Sequence, residues 1–329
     1  MMKIGIVGTG MIAKLVGPNM ASWGIDVTAV AGTPNTHDQT EELADQLGAA
    51  GRYDDYHDLI ADPEVDTVYV AVPNFLHYTV SEAALRAGKD VVCEKPLASN
   101  FREAERLAAV ARKEGRFLWE AVVTTRQPNF KLVRDELLPR IGTVKQVQVN
   151  YSQYSSRYDA FRAGEVLPAF DPAKAGGAIM DIGLYALTYT LGLFGEPENA
   201  YYLPNVERGI DTSGVAILQY EGFTAVDVCS KDCGAPALIQ IQGTDGYIVS
   251  NSQPNQCGAV TLHLNDGTEE AYDRSLPVMW EGEFREFCAQ QDAGDLEECY
   301  RQLDESLLVS RVQNTIRYES GVVFPQDEE

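Results

Sequence analysis

The chain has 329 residues and sets 26 Lys and Arg against 49 Asp and Glu, a formal net charge of −23. That balance, with no basic cluster to interrupt it, argues against nucleic acid or an anionic membrane as partner, and the length is that of two domains rather than one core. No stretch reads as a signal peptide or membrane span, and the six cysteines (93, 229, 233, 257, 288, 299) lack nearby histidines, so the expectation is a cytoplasmic protein with reduced thiols and no metal.

Lys3 to Val7 is a short apolar run that enters Gly8-Thr9-Gly10-Met11-Ile12-Ala13, a G-x-G-x-x-A at a strand-to-helix junction. In such a turn the first glycine permits the tight bend and the second lets backbone approach a pyrophosphate. The third small residue allows close helix–strand packing, and the helix N-terminus favours the anion. Gly17-Pro18 should shorten or kink the helix that follows. Residues 27–31 form a second strand, after which an acid is expected where the cofactor ribose keeps its hydroxyls. The chain instead reads Gly32-Thr33-Pro34-Asn35, which tolerates a 2′-phosphate and offers Thr33 and Asn35 as donors. NADP(H) is therefore favoured, with NAD(H) as the alternative.

A surface helix at 38–48, a short strand and helix over 53–62 and a buried strand at 67–72 come next. That strand runs into Pro73-Asn74-Phe75-Leu76-His77. The helix at 78–87 closes at Gly88, a C′ glycine, and the fourth strand leads through Val91-Val92-Cys93-Glu94 into Lys95-Pro96. Proline ends the strand and restricts the residue before it, so Lys95 is held at the carboxyl edge, where open α/β sheets bind ligands. Four strands thus bring Gly8, Gly32, Asn74 and Lys95 to one edge of a doubly wound parallel sheet. The candidate cofactor contacts are Gly8, Thr9, Gly10, Met11, Ile12, Gly32, Thr33, Asn74, His77, Glu94, Lys95 and Pro96. His77 has a second reading as a purely structural hydrogen-bonding residue.

Beyond residue 121 the pattern changes. Residues 144–154 alternate apolar and polar, and similar strands follow at 214–220, 224–229, 237–242, 246–250 and 259–264 with no helical pattern among them, which points to an antiparallel sheet. Helices are expected at 176–194, 281–291 and 297–318. In the first of these, Asp181, Leu184, Tyr185 and Thr188 fall three and four apart, so one face would look into a cleft. Tyr185 has a second reading as a ring packed in the core. With no long linker or repeat, the domains are read as 1–121 and 122–329.

The motif at 8–13, Pro73-Asn74-x-x-His77 and Ala87-Gly88-Lys89-x-Val91-x-Cys93-Glu94-Lys95-Pro96 together resemble the glucose–fructose oxidoreductase/inositol dehydrogenase (Gfo/Idh/MocA) family, and the likeness runs through the whole chain. Phe117-Leu118-Trp119-Glu120-Ala121, Thr125-Arg126-x-Pro128 and Asp171 to Tyr185 are similar to the branch that holds dimeric dihydrodiol dehydrogenase. The resemblance implies an α/β protein. An N-terminal Rossmann domain would precede a C-terminal α+β domain whose large, mostly antiparallel sheet joins subunits as a homodimer or homotetramer. It also implies a catalytic Lys95, a Pro96 that is often cis, and Tyr185 at the place of that branch's catalytic tyrosine.

The residue types suit that chemistry. A free tyrosine, with a pKa of about 10, is a poor base at neutral pH, but a neighbouring ammonium favours the tyrosinate. Lys95, Tyr185 and Asp181 are therefore the candidate catalytic set, with Tyr185 as acid/base and Lys95 at the reacting oxygen. Arg126, Asp181 and Tyr185 are the candidate contacts to a sugar, polyol or cyclic diol. Two alternatives stay open: an enzyme in which Lys95 itself moves the proton, and a regulatory protein that keeps the cofactor fold without turnover.

Overall fold

A computed structural model describes residues 1–328, which divide into two compact units, Met1–Ala121 with Glu283–Leu307 and Val122–Gly282 with Leu308–Glu329. In the first unit, strands β1 (Lys3–Val7), β2 (Asp26–Ala31), β3 (Gly51–Tyr53), β4 (Thr67–Val70), β5 (Asp90–Glu94) and β6 (Leu118–Ala121) form one parallel sheet in the order β3-β2-β1-β4-β5-β6. β4 and β5 are buried at every position, which is why they read as continuous apolar runs rather than alternating ones. The crossover helices are α1 (Met11–Val16), α2 (His37–Leu47), α3 (Tyr56–Ala61), α4 (His77–Arg86) and α5 (Phe101–Glu114). Helix α1 is short because a 3₁₀ turn takes over at Gly17-Pro18, where proline cannot donate to the helical ladder. Helix α5 buries Ala104, Leu107, Ala108 and Ala111, a stripe at spacings of three and four, and Asn100 caps it by accepting from the Glu103 amide at 2.9 Å.

The second unit is built on an eight-stranded sheet: β7 (Val144–Ser152), β8 (Asn199–Glu207), β9 (Ile210–Tyr220), β10 (Phe223–Ser230), β11 (Leu238–Gly243), β12 (Gly246–Ser250), β13 (Val260–Leu264) and β14 (Glu269–Tyr272). The order is β14-β13-β12-β11-β7-β10-β9-β8; β7 and β10 run parallel and every other pair is antiparallel. Short helices α6 (Pro128–Leu132) and α7 (Tyr158–Arg162) precede the core helix α8 (Leu184–Phe194). Val147, Val149, Leu218, Ile239 and Ile241 share one apolar core with Leu184, Leu187 and Leu191. The alternation in the sequence marked most of these strands but passed over β8 and β14. Both are edge strands with few buried positions, and Pro204 lies within β8, where an edge can spare the amide. One stretch, Pro172–Phe194, is long and apolar enough to cross a membrane, which amends the sequence reading; 72% of its apolar window is buried inside the protein.

The second domain was expected to run unbroken from 122 to 329. Instead Glu283–Leu307, most of α9 (Glu281–Ala293) and the first half of α10 (Leu296–Glu319), belongs to the first unit. The reason is aromatic. Phe284 stacks on Trp23 at 5.4 Å and meets the edge of Tyr69 at 5.6 Å, while Phe287 stacks on Trp119 at 5.2 Å. Trp119 Nε1 donates to Gln290 Oε1 at 2.6 Å, and the Tyr300 hydroxyl donates to the Ala111 carbonyl at 3.1 Å. At the far end of the chain, Arg317 and Asp327 form a buried bidentate pair within the second unit, at 2.7 and 2.8 Å, with the guanidinium 3.9 Å from the Phe324 ring centre.

Candidate active site

At the carboxyl edge of the parallel sheet, Gly8 adopts φ +115°, and a Cβ there would collide with the Ala71 carbonyl; only glycine fits both demands. Its amide donates to Ala31 at 2.8 Å, so the ends of β1 and β2 are tied at the turn. Gly10 caps α1, and among the described residues no atom lies within 4 Å of where its Cβ would be. Thr9 and Ile12 flank it half-buried, and Met11 is exposed. A tight glycine turn beside open backbone is what a dinucleotide pyrophosphate requires.

The loop after β2 is a compact turn. Thr33 N donates to Thr36 Oγ1 at 2.8 Å, and Thr36 N donates back to the Thr33 carbonyl at 2.8 Å. Any side chain at Gly32 would strike the Thr36 and Thr40 hydroxyls. His37 opens α2 directly after this turn, and its Nδ1 lies 3.1 Å from the Asp54 carboxylate, which holds the ring's pKa above the ordinary histidine value. This histidine was not among the candidates at 32–35 in the sequence.

Glu94, Lys95 and Pro96 form a corner clamped from three sides. Tyr69 donates to Glu94 Oε1 at 2.5 Å, Leu97 N donates to Glu120 Oε1 at 2.8 Å, and the His77 ring bridges the Pro96 carbonyl at 2.7 Å and the Val72 carbonyl at 2.9 Å. The Lys95–Pro96 bond is cis, and Lys95 is half-buried. Asn74 is half-buried on the turn after β4. Burial pushes Glu94 up to about 7, with the Tyr69 hydroxyl and the Lys95 ammonium pulling the other way.

His77 was grouped with the cofactor contacts, but its ring is 1% exposed and occupied by two backbone carbonyls. Burial holds its pKa down against those carbonyls, so it serves the corner rather than the open edge. Tyr69 was not singled out in the sequence, and Glu120 entered only as part of the Phe117–Ala121 motif; a tyrosine in a wholly buried strand, one strand before an acid, was the available signal.

In the second unit, the segment that carries Asp181 and Tyr185 begins at Gly177, φ +112°, where a Cβ would collide with Asp211. Asp211, wholly buried on β9, accepts from the Ile179 amide at 2.7 Å and from the Tyr202 hydroxyl at 2.8 Å, capping the segment from a distant strand. Residues Ile179–Gly183 then form a π turn before α8 begins. That wider turn breaks the expected face. Leu184 and Thr188 are buried, at 2% and 4% exposure, and the Thr188 hydroxyl back-bonds to Leu184 at 2.7 Å. Asp181 and Tyr185 are the two that stay partly exposed, which is a use to which π turns are often put.

Asp181 Oδ2 lies 2.7 Å from the buried Lys231, a residue the sequence reading did not single out. Tyr185 tilts against Tyr151 with ring centres 6.1 Å apart. Arg126, expected at the substrate, is 8% exposed within the second unit, with one guanidinium nitrogen 3.3 Å from the Thr125 hydroxyl.

The family model for an oxidoreductase family with an NAD-binding Rossmann fold (GFO/IDH/MocA) matches residues 2–122, and the model for the GFO/IDH/MocA C-terminal domain matches residues 139–249. The chain belongs to the GFO/IDH/MocA family. It is thus an NAD(P)-dependent oxidoreductase. The chain is 36% identical to the scyllo-inositol 2-dehydrogenase (NADP(+)) of Bacillus subtilis over 100% of both proteins. It is 29% identical to the trans-1,2-dihydrobenzene-1,2-diol dehydrogenase of Mus musculus over 99% of each, and 29% identical to a D-xylose 1-dehydrogenase (NADP(+)) of Haloferax volcanii over 97% of each. Among solved structures it is similar in fold to a 3-ketoreductase from Actinomadura kijaniata in complex with NADP and TDP-benzene, at TM-score 0.83 and 24% identity, covering 98% of this chain and 99% of that one. In this GFO/IDH/MocA protein Glu94 ends β5 and runs into Lys95-Pro96, and Tyr185 lies in the first turn of α8.

Proposed function

We propose that the protein is an NADP-dependent dehydrogenase of a cyclic polyol of the inositol class, with Tyr185 as acid/base and Lys95 as its electrostatic partner. The carrying observation is the full-length likeness to an NADP-dependent scyllo-inositol dehydrogenase, in a chain that retains both Lys95 and the Asp181–Tyr185 pair. The acid-free turn at Gly32-Thr33 supports the phosphorylated cofactor, because nothing there repels a 2′-phosphate by taking the ribose hydroxyls first.

When bound, the nicotinamide supplies the hydride acceptor. Gly8 and Gly10 would hold the pyrophosphate of that dinucleotide and the clamped corner would hold the rest at the sheet edge, and this chain's residues manage the proton. Oxidising a C–OH to C=O releases the hydroxyl proton, which Tyr185 accepts. The Lys95 ammonium stabilises the negative charge on the reacting oxygen and on the tyrosinate. Asp181 and Arg126 would orient the remaining hydroxyls. The sequence left a sugar, polyol or cyclic diol open; the higher identity to the inositol enzyme moves the proposal to cyclic polyols.

Fluorescence titration with NADPH and NADH, followed by assays of scyllo-inositol, D-xylose and a trans-dihydrodiol with NADP+, tests the reading. We expect tighter NADPH binding and the highest kcat/KM on scyllo-inositol. Tighter NADH binding would overturn the cofactor assignment, and turnover of the xylose or diol alone would overturn the substrate class.

A further inference from the structure

Lys231 follows β10 and is only 3% exposed, a costly position for an ammonium unless its charge is met. It is met three ways. Nζ lies 2.7 Å from Asp181 Oδ2, donates to the Ala169 carbonyl at 3.0 Å, and sits 4.7 Å from the centre of the Phe170 ring. The other carboxylate in its neighbourhood, Asp211, commits Oδ2 to the Ile179 amide and Tyr202 hydroxyl.

The two ends of the Lys231–Asp181 pair differ. The cation is buried, while the Asp181 side chain is 36% exposed, on the π turn four residues before Tyr185. A pair made only for stability has no need of an open end; Arg317 and Asp327, at 0% and 5%, show the closed kind in the same unit. In the Lys231 pair the hidden ammonium fixes one oxygen of a carboxylate that stays accessible on the segment bearing the proposed acid/base.

We propose that Lys231 is a positioning residue: it pins Asp181 as an oriented anion, and Asp181 in turn receives a hydroxyl of the polyol. This rests on the function proposed above. The ammonium touches neither substrate nor cofactor; it lowers the entropy cost of presenting Asp181 by holding one of its oxygens.

The test compares wild type, Lys231→Met, Asp181→Asn and the double variant, with scyllo-inositol and NADP+ as the assay pair and NADPH titration as a control. Lys231→Met is expected to raise KM for the polyol about tenfold, the size of a lost charged hydrogen bond, with a smaller change in kcat. NADPH affinity should be unchanged. In the Asp181→Asn background the same substitution should change KM by less than about twofold, because the route through Asp181 is already cut. A KM unchanged by Lys231→Met, or an effect that repeats in full on Asp181→Asn, would overturn the proposal while leaving the dehydrogenase reading intact. A wild type that binds NADPH but oxidises no polyol overturns both. Should the methionine variant fail to fold, Lys231→Gln, which keeps a donor for Ala169, carries the same expectation and the same refutation.

Discussion

The two units prepare their functional residues by different means. The first gathers its holding bonds on runs of consecutive residues: a glycine turn at positive φ, and a corner at 94–97 that the Tyr69, His77 and Glu120 side chains hold so that Lys95 sits at the edge of the sheet. The second works through charge and side chains. Asp211 caps the π turn from 32 residues away in sequence, and Lys231 grips Asp181 from 50 away. Both units depend on partners far apart in sequence, but the first centres them on a consecutive motif that a local reading can find, and the second does not.

Three substitutions probe that contrast. The largest effect is expected on chemistry. Tyr185→Phe should lower kcat with scyllo-inositol by roughly 10²- to 10⁴-fold while NADPH still binds, since general acid–base catalysis contributes about that much. Steady-state kinetics beside a cofactor titration would show it, and a kcat within a few-fold of wild type would transfer the proton to Lys95. Next in size, Asp327→Asn removes one partner of the buried Arg317 pair and should cost about 3–5 kcal/mol of stability in the second unit, read by chemical denaturation, with NADPH affinity preserved. Equal loss of NADPH affinity would show that the units do not respond separately.

The smallest effect concerns the first unit and depends on pH. Glu94 is held at about 7 in the folded chain, above its unfolded value, so the native state binds the extra proton. The stability it contributes is fully present at acid pH and is lost as pH rises toward and through 7. The shift corresponds to about 3 kcal/mol. Glu94→Gln, which cannot ionise, should therefore gain on wild type between pH 5 and pH 8 in urea denaturation. A difference that stays constant across that range would mean the carboxyl ionises as freely folded as unfolded.

What the sequence made legible follows the same division. The Gly8 turn and the Glu94-Lys95-Pro96 corner each lie within a few consecutive residues and impose backbone demands that few residue types meet, so they could be read directly. The parallel strands were plain because burial on both faces writes an unbroken apolar run. β8 was not, because an exposed edge writes no alternation. The helix face at 181–188 was misread in two ways: within α8 the Leu184 and Thr188 side chains are packed into the core, and the π turn at Ile179–Gly183, which no residue there announces, shifts Asp181 from the position that i+3 and i+4 counting gives it. Lys231 looks like any lysine after a strand until folding brings the Asp181 turn beside it.

The return of Glu283–Leu307 to the first unit also sets the order in which a ribosome can finish this protein. Trp23, Tyr69 and Trp119 emerge early, yet Phe284 and Phe287, the rings that cover them, come well over a hundred residues later in the chain. The cofactor unit therefore keeps apolar surface uncovered until the 283–307 segment has been made, and burying each such ring is worth roughly 2–3 kcal/mol. A chimera that exchanges only residues 1–121 with a relative inherits that problem permanently, because the exchanged sheet meets rings shaped for another partner. Recombination that carries this chain's cofactor unit whole has to move two segments at once.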